Sequence, residues 1–182
     1  HLCSSERLGK EPPQFSGDAE REAALRVHAE SLSIPIRNVA WYDRALTHAS
    51  SVAEVEFVEK DYEALEFLGD AVLGLAVAHY LFEHVPDRTP GEYSRMRAAM
   101  VNRQSVARVA QALGLPALIR LGKGEEACGG RRRTALMADC LEAYLAAIYL
   151  DSGWEVAEAF VSRVFLDEFK RARVVDRVWD YK

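Results

Sequence analysis

Residues 62–82 read YEALEFLGDAVLGLAVAHYLF, and this stretch decides the fold. Glu63, Glu66 and Asp70 open a run that is otherwise almost wholly apolar. Their i, i+3, i+7 spacing puts them on one face of a helix. Past Asp70 the same face continues as Gly74, Val77 and Ala78, which is not how a solvated stripe continues. A second apolar stretch repeats the pattern. In TALMADCLEAYLAAIYL, residues 134–150, Asp139 and Glu142 stand at i, i+3, and their face runs on through Ala143, Ala146 and Leu150. Helices apolar on every side are usually buried. The sequence therefore predicts two central helices, each carrying acids near one end.

Working outward, amphipathic spacing predicts helices over 18–32, 41–50, 92–113 and 154–172. Thr134 is placed to cap the second apolar helix, and Gly153 ends it. VPDRTPGE (85–92) reads as a loop, and GLPALIRLGKGEEACGGRRR (114–133) as a short helical turn followed by a Gly-rich loop. Its GG alone is a weak phosphate-cradle signal. No strand alternation and no internal repeat is visible, so the fold class is all-α. The 182 residues, 49% of them hydrophobic, suit one domain with a real core. We read 1–17 as a flexible entry segment, 18–173 as the domain, and 174–182 as the start of a linker.

No run of 18 or more uncharged apolar residues appears, which argues against a membrane span. The N-terminal HLCSSERLGKEPPQFSGDAE is polar and does not read as a secretory leader. Cys3, Cys128 and Cys140 lack C-x-x-C spacing, so neither a disulfide framework nor a structural zinc site is expected, and a reducing, cytoplasmic setting is the default. The net charge is −5, but it is unevenly spread. Between Arg88 and Arg133 lie ten bases and three acids, an asymmetry that suits a polyanion on one face. Helix-forming arginines on a wet surface would look the same.

Taken singly, each carboxylate could be a cap or a surface ion-pair partner. Four of them on two buried-looking helices are harder to place in that way. Buried like charges are costly and raise one another's pKa. Neither apolar run contains an Arg or Lys to neutralise them. A hard divalent cation with oxygen ligands, Mg²⁺ or Mn²⁺, is the natural alternative. Beside a basic segment it points to metal-assisted phosphate chemistry.

YEALEFLGDAVL closely resembles the signature of the ribonuclease III family, whose usual form is N-x-E-R-L-E-F-L-G-D-[SA]-[VI]-L. ALTHAS (45–50) is similar to that family's A-L-T-H-x-S, and YSRMRAAMVNRQSVARVAQALGL to its next conserved helix. LGKGEEACGGRRRTALMADCLEAYLAAIYLDSG resembles the stretch holding its A-D-x-x-E-A and Y-L-D-x-G elements. The resemblance covers about residues 20 to 170, in order, and points to the bacterial class with one catalytic domain. It implies a Mg²⁺-dependent endonuclease on double-stranded RNA, acting as a homodimer and leaving 5′-phosphate and 3′-hydroxyl ends. The family's metal-binding acids fall on Glu66, Asp70, Asp139 and Glu142, with catalytic roles for Asp70 and Glu142, and Glu63 matches a further acid of the signature. It also implies that apolar residues around Phe67 and Leu68 serve a dimer interface, and that a double-stranded-RNA-binding domain follows the linker. Arg95, Arg97, Arg131 and Arg132 are candidate RNA contacts. The chain departs from the family pattern at Asp61, Ala64 and Pro90, where Asn, Arg and an acid are usual, with Glu92 two residues later. Two other readings stand beside this one: a non-catalytic RNA- or protein-binding module of the same fold, and an all-α Mg²⁺-dependent nucleotide pyrophosphatase.

Overall fold

The structure, a computed structural model, describes residues 13–15, 17–52 and 62–179, with side chains as far as 172. Cys3 and Asp61 lie outside the described residues. Among the described residues ten α-helices follow in order: α1 (Ala19–Ser31), α2 (Val39–Ala45), α3 (Ala49–Val52), α4 (Glu63–His84), α5 (Pro90–Met100), α6 (Arg103–Ala112), α7 (Lys123–Ala127), α8 (Thr134–Ser152), α9 (Trp154–Val164) and α10 (Leu166–Trp179). Short 3₁₀ turns at Leu115–Leu118 and Gly130–Arg132 link α6, α7 and α8. Among the described residues no strand forms, and the all-α expectation holds.

Helix α8 is the axis of the domain. Leu141, Ala143, Tyr144, Leu145, Ala146, Ala147 and Ile148 are all buried, so its middle is enclosed on every side. α4 packs along it most extensively, and α6, α2 and α9 complete the sheath. α4 is long and apolar enough by length and composition to cross a membrane. Its inner face, however, is buried through Leu65, Val72, Leu73, Ala76, Val77 and Leu81, as in the core helix of a helical domain. At Gly69 the two central helices touch backbone to backbone. A Cβ there would stand 1.7 Å from the carbonyl oxygen of Glu142. Glycine is helix-breaking by about 1 kcal/mol relative to alanine, and here the close crossing requires it.

Several boundaries differ from the sequence expectation, among them α7, which forms inside the stretch expected as a Gly-rich loop. The helix expected over 92–113 is two helices, because Asn102 interrupts it. Its side chain donates to Ala99 O at 2.7 Å and accepts the Ser105 N–H at 3.0 Å, competing with the helical ladder. The helix expected over 41–50 stops at Ala45. Leu46 and His48 then exchange backbone hydrogen bonds with Arg120, at 2.7 and 3.0 Å, before α3 begins. Thr134 lies inside α8 rather than capping it, and the cap residue, Arg133, makes no side-chain cap bond. The last helix breaks at buried Phe165 into α9 and α10, and residues 174–179 continue α10.

Capping supports several helix starts, and side-chain bonds tie other helix ends together. Asp18 accepts the Arg21 N–H at 2.8 Å. Thr89 and Glu92 form a reciprocal capping box behind Pro90, the first residue of α5. Glu92, the nearest acid to the departure at Pro90, is thus committed to starting that helix. Asp151, near the end of α8, accepts the Arg37 and Asn38 N–H groups at 2.8 Å each and ties α8 to the start of α2. α10 is held by Arg108, whose guanidinium donates to both Glu168 carboxylate oxygens at 3.1 and 2.8 Å.

Candidate metal centre

The Gly69 crossing brings the acid-bearing parts of α4 and α8 together. They open onto a cleft of about 440 Å³ lined by Glu63, Glu66, Phe67, Asp70, Val101, Arg103, Ala138, Asp139 and Glu142. Carboxylate oxygens of Glu66, Asp139 and Glu142 all lie within 4.8 Å of one another. Asp70 lines the same cleft but stands outside this group of three. Glu63 lines it too, and both Asp70 and Glu63 are exposed whereas the other three acids are half-buried. The sequence reading placed all of these acids on a buried-looking face. Instead, they line an open cleft between α4, α6 and α8.

Burial and crowding act on these acids in one direction. Glu142 is pushed up to about 8, first by desolvation, then by the negative charges of Asp70, Asp139 and Glu66. Glu66 is raised by burial and next by Asp139. Asp139 is also raised by burial, with Arg103 and His48 pulling it back. The donor set therefore suits a hard divalent cation: three carboxylates from two rigid helices, in a site that disfavours their charge until a cation arrives. Glu66, Asp139 and Glu142 would hold that cation, with Asp70 lining the same cleft.

Three contributors were not read from the acid pattern. Gly69 sets the approach of the helices, and its signal was a glycine in the middle of an apolar helix. His48, in ALTHAS, stacks on Tyr62 with ring centroids 5.5 Å apart. Its Nδ1 lies 2.7 Å from the Ser50 hydroxyl, which also accepts the Gly122 N–H at 3.0 Å. The motif thus buttresses the start of α4. Arg103 comes from α6 and reaches within 3.7 Å of Asp139, so a base does approach the acids, though from outside the two apolar runs.

The basic segment is less of a surface than its composition suggests. Arg108 is paired with Glu168, Arg120 with Asp43, Arg133 with Glu125 and Arg88 with Glu92. Arg131 bonds Glu126 and also donates to the carbonyls of Pro116 and Ile119, which pins the 3₁₀ turns together. Its guanidinium is spent inside the fold. Arg95, Arg97 and Arg132 are exposed.

An all-helical domain whose two central helices bring clustered carboxylates to one cleft defines a class of helical proteins with a candidate metal centre. A model of the Ribonuclease-III-like family matches residues 39–169, and the chain belongs to that family. It is 51% identical to Ribonuclease 3 of Syntrophobacter fumaroxidans over 67% of this chain and 51% of that protein. It is 43% identical to Ribonuclease 3 of Moorella thermoacetica over 81% of this chain and 63% of that protein. The chain thus spans about half to two thirds of the length of these curated relatives. Among solved structures, the nuclease domain of ribonuclease III from Campylobacter jejuni superposes with a TM-score of 0.72 at 36% identity, over 79% of this chain and 96% of that one. That structure is described for flexibility in a region involved in dimer formation. Dicer from Giardia intestinalis aligns with a TM-score of 0.64 at 26% identity, over 86% of this chain but 20% of the Dicer.

Proposed function

We propose that this chain is the catalytic domain of a divalent-metal-dependent endoribonuclease that hydrolyses phosphodiesters of double-stranded RNA. The observation that carries the reading is the meeting of Glu66, Asp139 and Glu142 within 4.8 Å, on helices whose family relatives are named Ribonuclease 3. Mg²⁺, with Mn²⁺ as a substitute, would be held by these acids and Asp70. Once bound it supplies Lewis acidity toward water and toward the non-bridging phosphate oxygens. The chain's own groups do the rest. With a cation held there, Glu142 would serve as a carboxylate instead of the protonated acid that burial and crowding favour. Asp70, exposed at the cleft wall, orients the attacking water and takes its proton, and Glu63 borders the same opening. The water oxygen bonds to phosphorus, the P–O3′ bond breaks, and a proton passes to O3′. The products are a 5′-phosphate and a 3′-hydroxyl. Duplex RNA would be recognised through A-form shape, phosphates and 2′-hydroxyls, with exposed Arg95, Arg97 and Arg132 as contacts.

The same reading includes a homodimer. The outer face of α4 exposes Phe67 (83%), Leu75 (57%) and Phe82 (73%) in one stripe, which favours burial against a second copy. Sedimentation at micromolar concentration should give about twice the 20.4 kDa chain mass, and a monomer alone would refute the pairing.

The test of activity offers duplex RNA, single-stranded RNA and free nucleoside triphosphates to the protein, with Mg²⁺, with Mn²⁺ and with chelator. Cleavage confined to duplex RNA and dependent on metal is expected. Hydrolysis of free nucleotides would favour a pyrophosphatase, and duplex binding without cleavage in any metal would indicate a non-catalytic module.

A further inference from the structure

The cleft contains a positive charge that the acid pattern does not account for. Arg103 is the only cation among the described residues lining it. Its side chain is 64% exposed, and its Nη2 stands 3.7 Å from Asp139 Oδ1, beyond hydrogen-bond length. Arg108 and Arg133 of the same segment pair more firmly, with Glu168 and Glu125 at 2.8 Å each. Arg103 is also the first residue of α6, where a cation opposes the helix macrodipole. Neither α6 nor the core needs it there. The helix is capped by Asn102 and seated by Val106, Val109 and Ala110. A local preference broken without structural gain, beside a reactive cleft, is the pattern of a functional residue.

We infer that Arg103 contacts a phosphate of the RNA at the cleft, leaving Asp139 as substrate enters. Guanidinium is suited to that contact by its planar, forked donors. Without substrate the same charge offsets part of the repulsion among the acids and competes with an incoming cation. The inference rests on the proposed phosphodiesterase reading and makes two demands of opposite sign. Removing the charge must weaken the interaction with RNA, and it must not weaken the binding of metal.

The experiment compares the intact chain with Arg103→Gln and Arg103→Lys. Three measurements are made: Mg²⁺-dependent thermal stabilisation without RNA, duplex-RNA affinity across a salt series, and cleavage kinetics. For Arg103→Gln we expect a KM raised about tenfold with a smaller change in kcat, and a salt slope of binding reduced by about one phosphate contact. Half-maximal stabilisation should come at equal or lower Mg²⁺. Arg103→Lys should recover most of the affinity. An unchanged KM and salt slope in Arg103→Gln overturns the inference, as does a weakened response to Mg²⁺, which would make Arg103 a support of the metal centre. The proposed activity is judged separately by the unsubstituted chain. If that chain cuts duplex RNA while Arg103→Gln behaves identically, only this inference falls. If it neither binds nor cuts duplex RNA, both fall.

Discussion

Two groups of buried acid in this molecule are treated in opposite ways. Asp43, 5% exposed, has its carboxylate 2.9 Å from Arg21 Nε and 3.4 Å from Arg120 Nη2. Arg21 then spends another nitrogen on the carbonyl of Leu118 at 2.6 Å. This network ties α1, α2 and the segment before α7. Glu66, Asp139 and Glu142 crowd together instead, with one exposed guanidinium 3.7 Å from Asp139. A carboxylate that serves the fold is matched by donors from the same chain, because an unpaired buried charge is expensive. A carboxylate that serves a ligand is left short of partners. The difference between the two groups marks the cleft as the candidate functional site.

The largest effect should come from the second group. Glu142→Gln keeps shape and hydrogen-bonding capacity but removes one negative charge. Cleavage of duplex RNA should fall at least about 10³-fold, equivalent to about 4 kcal/mol of transition-state stabilisation. The metal-free protein should remain as stable as the parent or become more so, since a source of repulsion is gone. An acid that held the fold would behave in the reverse manner, losing stability and keeping activity. A glutamine variant that still cuts would end the metal-centre reading.

Asp43→Asn probes the first group. It leaves Arg21 and Arg120 without their counter-charge, and breaking a buried pair in this way costs about 3 kcal/mol. In a domain of this size that is a fall of about 10 °C in Tm. The Mg²⁺-dependent part of the stability should be unchanged, because Asp43 lies outside the cleft. A variant whose Tm stays within a degree or two of the parent would show that the ion pairs around Asp43 are dispensable.

How much of this was legible beforehand follows from the range of each signal. The central helices and their acids could be read because apolar periodicity and i, i+3 spacing are local features. The break at Asn102 was missed because its cause is a side chain bonding its own neighbours, which periodicity does not register. Asp43 could not be told from a surface acid, since its partners come from 22 and 77 positions away in the sequence. The basic segment misled for the same reason: Arg108, Arg120 and Arg131 look alike in composition and find internal acceptors only in the fold. Even Arg103, counted among those bases, could not be assigned to the acid cleft before α6 was placed.

The smallest expected effect separates the two groups by pH alone. Glu142 is held up to about 8, against an ordinary value of 4.5. Between those values the folded protein binds more protons than the unfolded chain, so its stability falls as pH rises. Glu66 and Asp139 are shifted in the same direction and add to the slope. The contribution is therefore fully present below about pH 4.5 and lost as pH climbs through about 8. For a half-buried carboxyl partly screened by solvent, the loss should be about 1–2 kcal/mol. With Mg²⁺ the trend reverses, because the cation takes the ionised carboxylates and its binding releases protons. The gap in Tm between Mg²⁺ and chelator should therefore widen from pH 6 to pH 8.5. Glu142→Gln should flatten both curves over this range, whereas Asp43→Asn should lower both and leave their separation intact. Thermal unfolding of the three proteins at each pH, with and without Mg²⁺, measures all of this in one series. If the gap for the parent protein is independent of pH, the crowded acids are not what the cation binds.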